Sequence, residues 1–284
     1  MNIFFNPKCL KYKRKGHPES PNRIKLIYEK LENNFEINKP SPCSKKDLNL
    51  VHSKKLISKV KNNKFTESKD NPRYKNIYKY ACISAGSAIQ AMNKSLQGEN
   101  TFSLSRPPGH HTGKNFLGGF CYFNNIAIAS KKALKNVESI TILDFDVHHG
   151  NGTQDIFLNN ESILYVSLHE KNVYPNTGPK STKNSINYPL PKGTKPKKYL
   201  KFFKRTLNKI KVFNPDLLAI SAGFDAYKKE TLANLKLDIS TYERLGKLVN
   251  KLLTDLKINA FLVMEGGYTE DVGKCVYNFL KELK

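Results

Sequence analysis

No two of the five cysteines form a Cys-x-x-Cys pair; they stand apart at positions 9, 43, 82, 121 and 275. An odd, dispersed set suits a reducing compartment and argues against a disulfide framework. No apolar stretch reaches the ~20 residues that a membrane helix needs. The start, Met1 to Lys8, is broken too early by Asn6 and Pro7 for a secretory hydrophobic segment. A cytoplasmic protein without membrane contact is therefore expected. Internal repeats and Ser/Gly-rich linkers are absent as well, so residues 1–284 are expected to form one domain. Arginine is scarce although the chain is strongly basic. Its formal charge is +24, yet arginine occurs only at positions 14, 23, 73, 106, 205 and 244. Arginine is the residue that reads phosphates and base edges bidentately. No specific nucleic-acid partner is expected, only salt-sensitive attraction to acidic surfaces.

What is present is chemistry at the ends of short apolar runs. Ile140 to Leu143 leads into Asp144-Phe145-Asp146-Val147-His148-His149-Gly150. Phe102 to Leu104 leads into Arg106-Pro107-Pro108-Gly109-His110-His111. Leu217 to Ser221 leads into Ala222-Gly223-Phe224-Asp225, and Ala260 to Met264 into Glu265-Gly266-Gly267-Tyr268. Runs of this length bounded by Gly or Pro read as buried parallel strands. Open α/β sheets keep their chemistry at the carboxyl ends of such strands.

Helical patterns alternate with these strands over 22–31, 76–97, 122–134, 197–210, 241–256 and 270–283. Ser240, with Glu243 three residues on, predicts a capping box for the fifth helix. The alternation predicts a mainly parallel sheet covered by helices on both faces, a three-layer α/β/α sandwich. The stretches 62–74 and 174–198, rich in Lys, Asn and Pro, are expected to be long surface loops over the site.

Asp146, His148 and Asp225 offer one imidazole and two carboxylates. Asp146 and His148 are two apart, so both point the same way on an extended strand end. Three protein ligands with a fourth position open to water is the pattern of a catalytic zinc. A site without thiolate would also accept Fe(II), Co(II) or Mn(II). His110 and His111 would then supply the base for the water and the acid for a leaving amine. Asp144 and Asn151 are suitable partners for their far nitrogens. The His paired with Asp should be the more basic. Tyr268, after two glycines, could donate a hydrogen bond to a developing oxyanion.

Together these residues resemble the histone deacetylase superfamily, which includes acetoin-utilisation-type proteins and acetylpolyamine amidohydrolases, and most of all its class II-like branch. The resemblance spans His17 to Arg23, Val51 to Ser53, Arg106 to Gly113, Gly118 to Ala127, Asp144 to Gln154, Ser221 to Ala226 and Glu265 to Tyr268. It implies a zinc-dependent amidohydrolase of the arginase-deacetylase fold. Zinc would be held by Asp146, His148 and Asp225. His111 resembles the general base and His110 its charge-stabilising partner, with Asp144 and Asn151 orienting them. Tyr268 resembles the carbonyl-polarising tyrosine. The acyl-lysine tunnel would be walled by Gly119, Phe120, Tyr174 and Leu232, and Arg23 resembles an arginine near an internal acetate cavity. A structural potassium is implied at Asp144, Asp146, His148, Ser167 and Leu168.

One stretch departs from the family pattern. Lys228 to Asn234 lacks the proline and late glycines usual after the zinc aspartate, which puts the rim loop and the substrate preference in doubt. An acylated-lysine protein or peptide is the expected substrate, with a small acetylated amine such as an acetylpolyamine as the alternative and a non-catalytic acyl-lysine binding module behind both. An arginase-like ureohydrolase would need more Asp ligands, around two metals. The positive surface would repel polyamines and Lys-rich tails alike at long range; Glu67, Asp70 and Glu230 are the candidates for local acidity at the mouth.

Overall fold

The structure, a computed structural model, describes residues 1–283. In chain order the elements are β1 (Asn2–Phe5), α1 (Pro21–Leu31), β2 (Glu36–Asn38), α2 (Lys45–Leu48), α3 (Lys54–Lys61), α4 (Ile77–Ser95), β3 (Thr101–Leu104), α5 (Asn125–Ala133) and β4 (Ile140–Asp144). There follow α6 (Asn151–Phe157), β5 (Ile163–Glu170), β6 (Ser185–Leu190), α7 (Pro196–Phe213), β7 (Leu217–Ala222), α8 (Ile239–Leu256), β8 (Ala260–Met264) and α9 (Val272–Leu280). The strands form one sheet in the order β2-β1-β3-β8-β7-β4-β5-β6. Every pairing is parallel, which goes further than the mainly parallel sheet expected. The four strands read from the sequence are β3, β4, β7 and β8, and every residue of each is buried.

Each face of the sheet has its own core. On one, Ile24 and Ile27 of α1, Phe203 and Leu207 of α7, Leu245 and Val249 of α8 and Val276 and Phe279 of α9 pack on Leu143, Leu218, Ile220 and Leu262. On the other, Ile57 of α3, Ala85 and Ile89 of α4, Ile126 of α5 and Phe157 of α6 pack on Ile140, Ile142, Ala219, Phe261 and Val263. Successive strand residues face opposite sides, so a strand buried on both reads as a continuous apolar run.

Two local expectations fail. The stretch 174–198 is not one loop, for it contains β6 and the first turn of α7. β6 is an edge strand with only some of its residues buried, and it carries Pro189, so its period is blurred. Nor does Ser240 cap α8. Asp238 does: its Oδ1 accepts from Thr241 N at 2.8 Å and from the Ser240 hydroxyl at 2.8 Å. Glu243 instead pairs with Lys247 and Lys281.

Candidate active site

The four strands with polar ends are neighbours, β3-β8-β7-β4. All run the same way, so their carboxyl ends open on one edge within ~15 Å at ~4.8 Å per strand. Register keeps them level, with Asp144 beside Ser221 and Ala222 beside Met264. Four loops remote in sequence thus converge.

Asp146, His148 and Asp225 are buried and bring their ligand atoms within 4.8 Å of one another. His148 Nδ1 lies 3.1 Å from Asp146 Oδ1 and 3.1 Å from Asp225 Oδ2. Backbone donors aim both carboxylates: Gly266 N–H donates to Asp146 at 2.7 Å and Val147 N–H to Asp225 at 2.9 Å. Gly266 has to be glycine, because a Cβ there would lie 2.1 Å from Asp225 Oδ2. Burial, and then the charge of Asp146, push the Asp225 carboxyl up to about 7. Among the described residues no lysine or arginine pairs with either carboxylate. Two crowded buried carboxylates beside one imidazole fit a divalent cation, which would supply the missing positive charge.

The adjacent histidines sit in unlike surroundings. His110 Nδ1 is 3.0 Å from Asp144 Oδ2, and His111 Nδ1 is 2.9 Å from Asn151 Oδ1. Burial opposes charge on His110, but Asp144, then Asp146 and Glu265, overcome it and push its pKa up to about 10. Burial holds His111 well below the usual imidazole range, and the nearby His110 and His148 charges add to this. Asn151 Oδ1 accepts a hydrogen bond from His111 Nδ1–H, which leaves Nε2 as a free acceptor. One imidazole is therefore set to hold a proton and its neighbour to receive one.

A cavity of about 150 Å³ leads to this pair, lined by His110, His111, Gly119, Phe120, Asp146, His148, Tyr174, Leu232 and Tyr268, with Asp70 at its mouth. Phe120 stands edge-on to Tyr268 at 5.7 Å and Tyr174 edge-on to His111 at 5.0 Å. Gly119 has φ +50°, and a Cβ on it would lie 2.2 Å from the His111 ring. Phe120 has φ 68°. That conformation costs a residue with a side chain ~1–2 kcal/mol, and here it turns the ring into the cavity wall. Burial raises the Tyr268 phenol well above its ordinary range, so it stays a proton donor.

Several residues lie behind this lining. Asp144 and Asn151 support the histidines, and Ser167 and Leu168 lie on β5 beside the end of β4. Ser167 Oγ bonds to His169 Nδ1 at 2.9 Å. Arg23 is buried beneath the Tyr268 loop, where it donates to Gly267 O at 2.9 Å and to Glu265 O. Its guanidinium lies 4.9 Å from the Tyr268 ring centre. It reaches the site through that loop and does not line the cavity. His149 turns away, to Thr177 at 2.8 Å and Gln154 at 3.0 Å.

Sequence reasoning assigned no role to Glu265 or Glu19 and the wrong one to Glu230, three buried carboxylates. Glu265 accepts from Gly109 N–H at 2.8 Å and His110 N–H at 3.3 Å, tying the Tyr268 loop to the histidine loop. Glu19 holds Arg106 through two 2.7 Å bonds, which anchors the chain before the histidines. Glu230 is no mouth acid. It is buried and accepts from Tyr268 N–H at 2.9 Å and Thr231 N–H at 2.8 Å. The atypical stretch 228–234 is thus pinned without the expected glycines, since Glu170 also accepts from Asn234 N–H at 2.7 Å. Glu67 is tied to Arg14 at 3.0 Å, so Asp70 is the candidate acid that reaches the mouth. Glu265, next to the glycines of its motif, carried the clearest sequence signal of the three.

A buried carboxylate–imidazole centre under a polarised histidine pair, at the bottom of a narrow aromatic cavity, is the machinery of a hydrolytic deacetylase. A family model, the histone deacetylase domain, matches residues 17–283. The chain is 33% identical over 295 residues to a probable deacetylase of Archaeoglobus fulgidus, covering 94% of this chain and 81% of that one. It is 32% identical over 303 residues to the histone deacetylase HDA1 of Saccharomyces cerevisiae, covering 90% of this chain but only 42% of the yeast protein. The crystal structure of the HDA15 HD domain superposes with a TM-score of 0.89 at 29% identity, over 100% of this chain and 90% of that one. This chain belongs to the histone deacetylase family. No helix among the described residues is long and apolar enough to cross a membrane.

Proposed function

We propose that this protein removes acetyl or other acyl groups from lysine side chains of proteins or peptides, with zinc held by Asp146, His148 and Asp225. The observation that carries this reading is the shape of the cavity. At about 150 Å³ it is small, and Phe120 and Tyr174 line it together with His111, His148 and Tyr268. An aliphatic stem fits between aromatic walls, and an amide at its tip would meet the polar groups. When bound, the divalent ion supplies a Lewis acid for the amide carbonyl and a more acidic water. His111 Nε2, the free acceptor of its ring, would serve as the base for a water in the cavity. His110, charged against Asp144, stabilises the negative charge that builds up, and a proton returned through the pair lets the amine leave. Tyr268 donates from its phenol to the carbonyl oxygen as that atom becomes an oxyanion. Arg23 keeps Tyr268 in place from below. Asp144, Asp146 and His148 backbone groups with Ser167 and Leu168 are the proposed structural potassium site, supported by the register that sets Asp144 beside Ser167.

The second reading is a deacetylase of small acetylated amines. It is favoured by Asp70 at the mouth, which would attract an ammonium group, and by the acetylpolyamine amidohydrolase 2 of Pseudomonas aeruginosa, 34% identical over 70% of this chain. Steady-state hydrolysis by the zinc-loaded protein of acetyl- and longer acyl-lysine peptides, against N-acetylputrescine and N-acetylspermidine, tests both. The first reading expects kcat/KM highest on a peptide; failure to hydrolyse any acyl-lysine peptide overturns it.

A further inference from the structure

The mouth of the cavity does not open directly onto flat surface. A second cleft of about 340 Å³ adjoins it, and the two share Asp70, Phe120 and Leu232 as a common border. The rest of the second cleft is basic, with Arg14, Lys15 and Lys69 in its lining and Asp70 as its one carboxylate. Apart from Asp70, which it shares with the cavity, the charged residues that line it are all basic. Arg14 is partly neutralised by Glu67 at 3.0 Å. Lys15 and Lys69 are exposed, and among the described residues neither has an ion-pair partner.

His17 lines the same cleft, with its ring edge-on to Phe120 at 4.8 Å and its Nδ1 accepting the Glu19 N–H at 3.1 Å. Its Nε2 is buried, so the groups that an incoming anion would meet are the exposed ammonium groups of Lys15 and Lys69.

We infer that this cleft is a subsite for a carboxylate borne next to the acylated lysine, and that it selects acidic acyl-lysine peptides over polyamines. The inference rests on the acyl-lysine reading above. The carboxylate could be the side chain of a neighbouring Asp or Glu, or the α-carboxylate of a terminal acyl-lysine. Either would meet Lys15 and Lys69. An acetylpolyamine would place a second ammonium in the same basic cleft, where it is repelled.

The test uses the zinc-loaded full chain and end-capped acetyl-lysine peptides that differ only in the neighbouring residue, Glu, Gln or Lys. A fourth peptide ends in acetyl-lysine with a free α-carboxylate, and N-acetylspermidine is the fifth substrate. The expected result is KM rising about fivefold from the Glu to the Lys peptide, as for exposed ion pairs, with the spread shrinking as salt is raised. The Gln peptide lies between them, and the uncapped peptide shows whether the α-carboxylate serves as well as the side chain. The double variant K15E/K69E reverses the order of the Glu and Lys peptides. K198E/K201E, the same charge change on α7, leaves it as it was. Equal KM for the Glu and Lys peptides, an unchanged order in K15E/K69E, or N-acetylspermidine as the best substrate overturns the inference while the hydrolase reading stands. Loss of the preference in K198E/K201E as well would assign it to net charge and also overturn the subsite. No turnover on any acyl-lysine peptide overturns the hydrolase reading itself.

Discussion

The roles proposed for Tyr268 and Asp225 are separable, and single substitutions tell them apart. Tyr268 is not one of the three metal-competent side chains, and its loop is fixed by Glu230 and Arg23 through the backbone. Tyr268→Phe keeps the ring and loses the donor. Turnover should fall ~10²–10³-fold while KM and bound metal stay near wild type, because the bond strengthens as the oxyanion forms. Wild-type turnover in this variant would remove the phenol from the mechanism. Asp225→Ala is expected to lose both metal, read by elemental analysis, and hydrolysis. It removes one of the three ligand groups and leaves Asp146 and His148 an incomplete set. A variant that keeps one zinc per chain at normal turnover would show that the ion sits elsewhere.

At the scale of elements, the site depends on loops braced against one another. The turn that carries Phe120 has two successive residues at positive φ, Gly119 and Phe120. The Phe120 ring rests between His17 and Tyr268. Replacing it with Ala should weaken binding of an acyl-lysine stem by ~1–3 kcal/mol, the usual range for an aromatic wall. The loss should appear in KM more than in kcat, since the ring does not reach the reacting amide. An acyl-lysine analogue whose affinity is unchanged in Phe120→Ala would place the stem elsewhere. The rim stretch 228–234 illustrates how one loop path can be held by other means. The expected Pro and Gly are absent, and carboxylates of Glu230 and Glu170 capture backbone N–H groups instead.

Across the whole molecule, acid stability should carry the mark of His52. Its Nδ1 donates to Gly113 O at 2.9 Å and its Nε2 accepts from Asn124 N–H at 2.9 Å, joining the chain before α3 to the histidine loop and the start of α5. Burial lowers its pKa from 6.5 to about 4. Above pH 6.5 neither folded nor unfolded chain binds the proton there. Between 6.5 and about 4 the unfolded chain binds it and the folded one does not, so stability falls as pH falls and levels off below. The full loss is of order 3 kcal/mol. Urea melts at pH 7.5, 6 and 5 should show this slope in wild type and a shallower one in His52→Gln; parallel slopes would exclude the assignment. The charge of +24 acts at the same scale. It sets a salt-sensitive attraction for anions over the whole surface, and the cleft beside the cavity focuses it where substrate enters.

Residue types and local spacing already determined the four central strands and the chemistry at their ends. A strand buried on both faces must be apolar throughout, and metal-competent side chains must follow it directly. The Asp146, His148 and Asp225 cluster and the paired histidines were legible for that reason. Two of the flanking strands were not: β2 has only three residues, and β6 is an edge strand whose half-buried residues blur the period. Tertiary structure alone decided that β3, β8, β7 and β4 are neighbours, since strand order depends on crossovers that no local pattern encodes. It also decided the fate of each carboxylate. Glu230 and Asp70 look alike in sequence, both in polar Lys-rich stretches, and nothing local tells Glu19 from them. Glu230, Glu265 and Glu19 are buried and consumed by backbone N–H groups and Arg106, and Asp70 is left at the mouth. What a carboxylate does depends on which donors the fold brings within ~3 Å, and those donors lie far away in the chain.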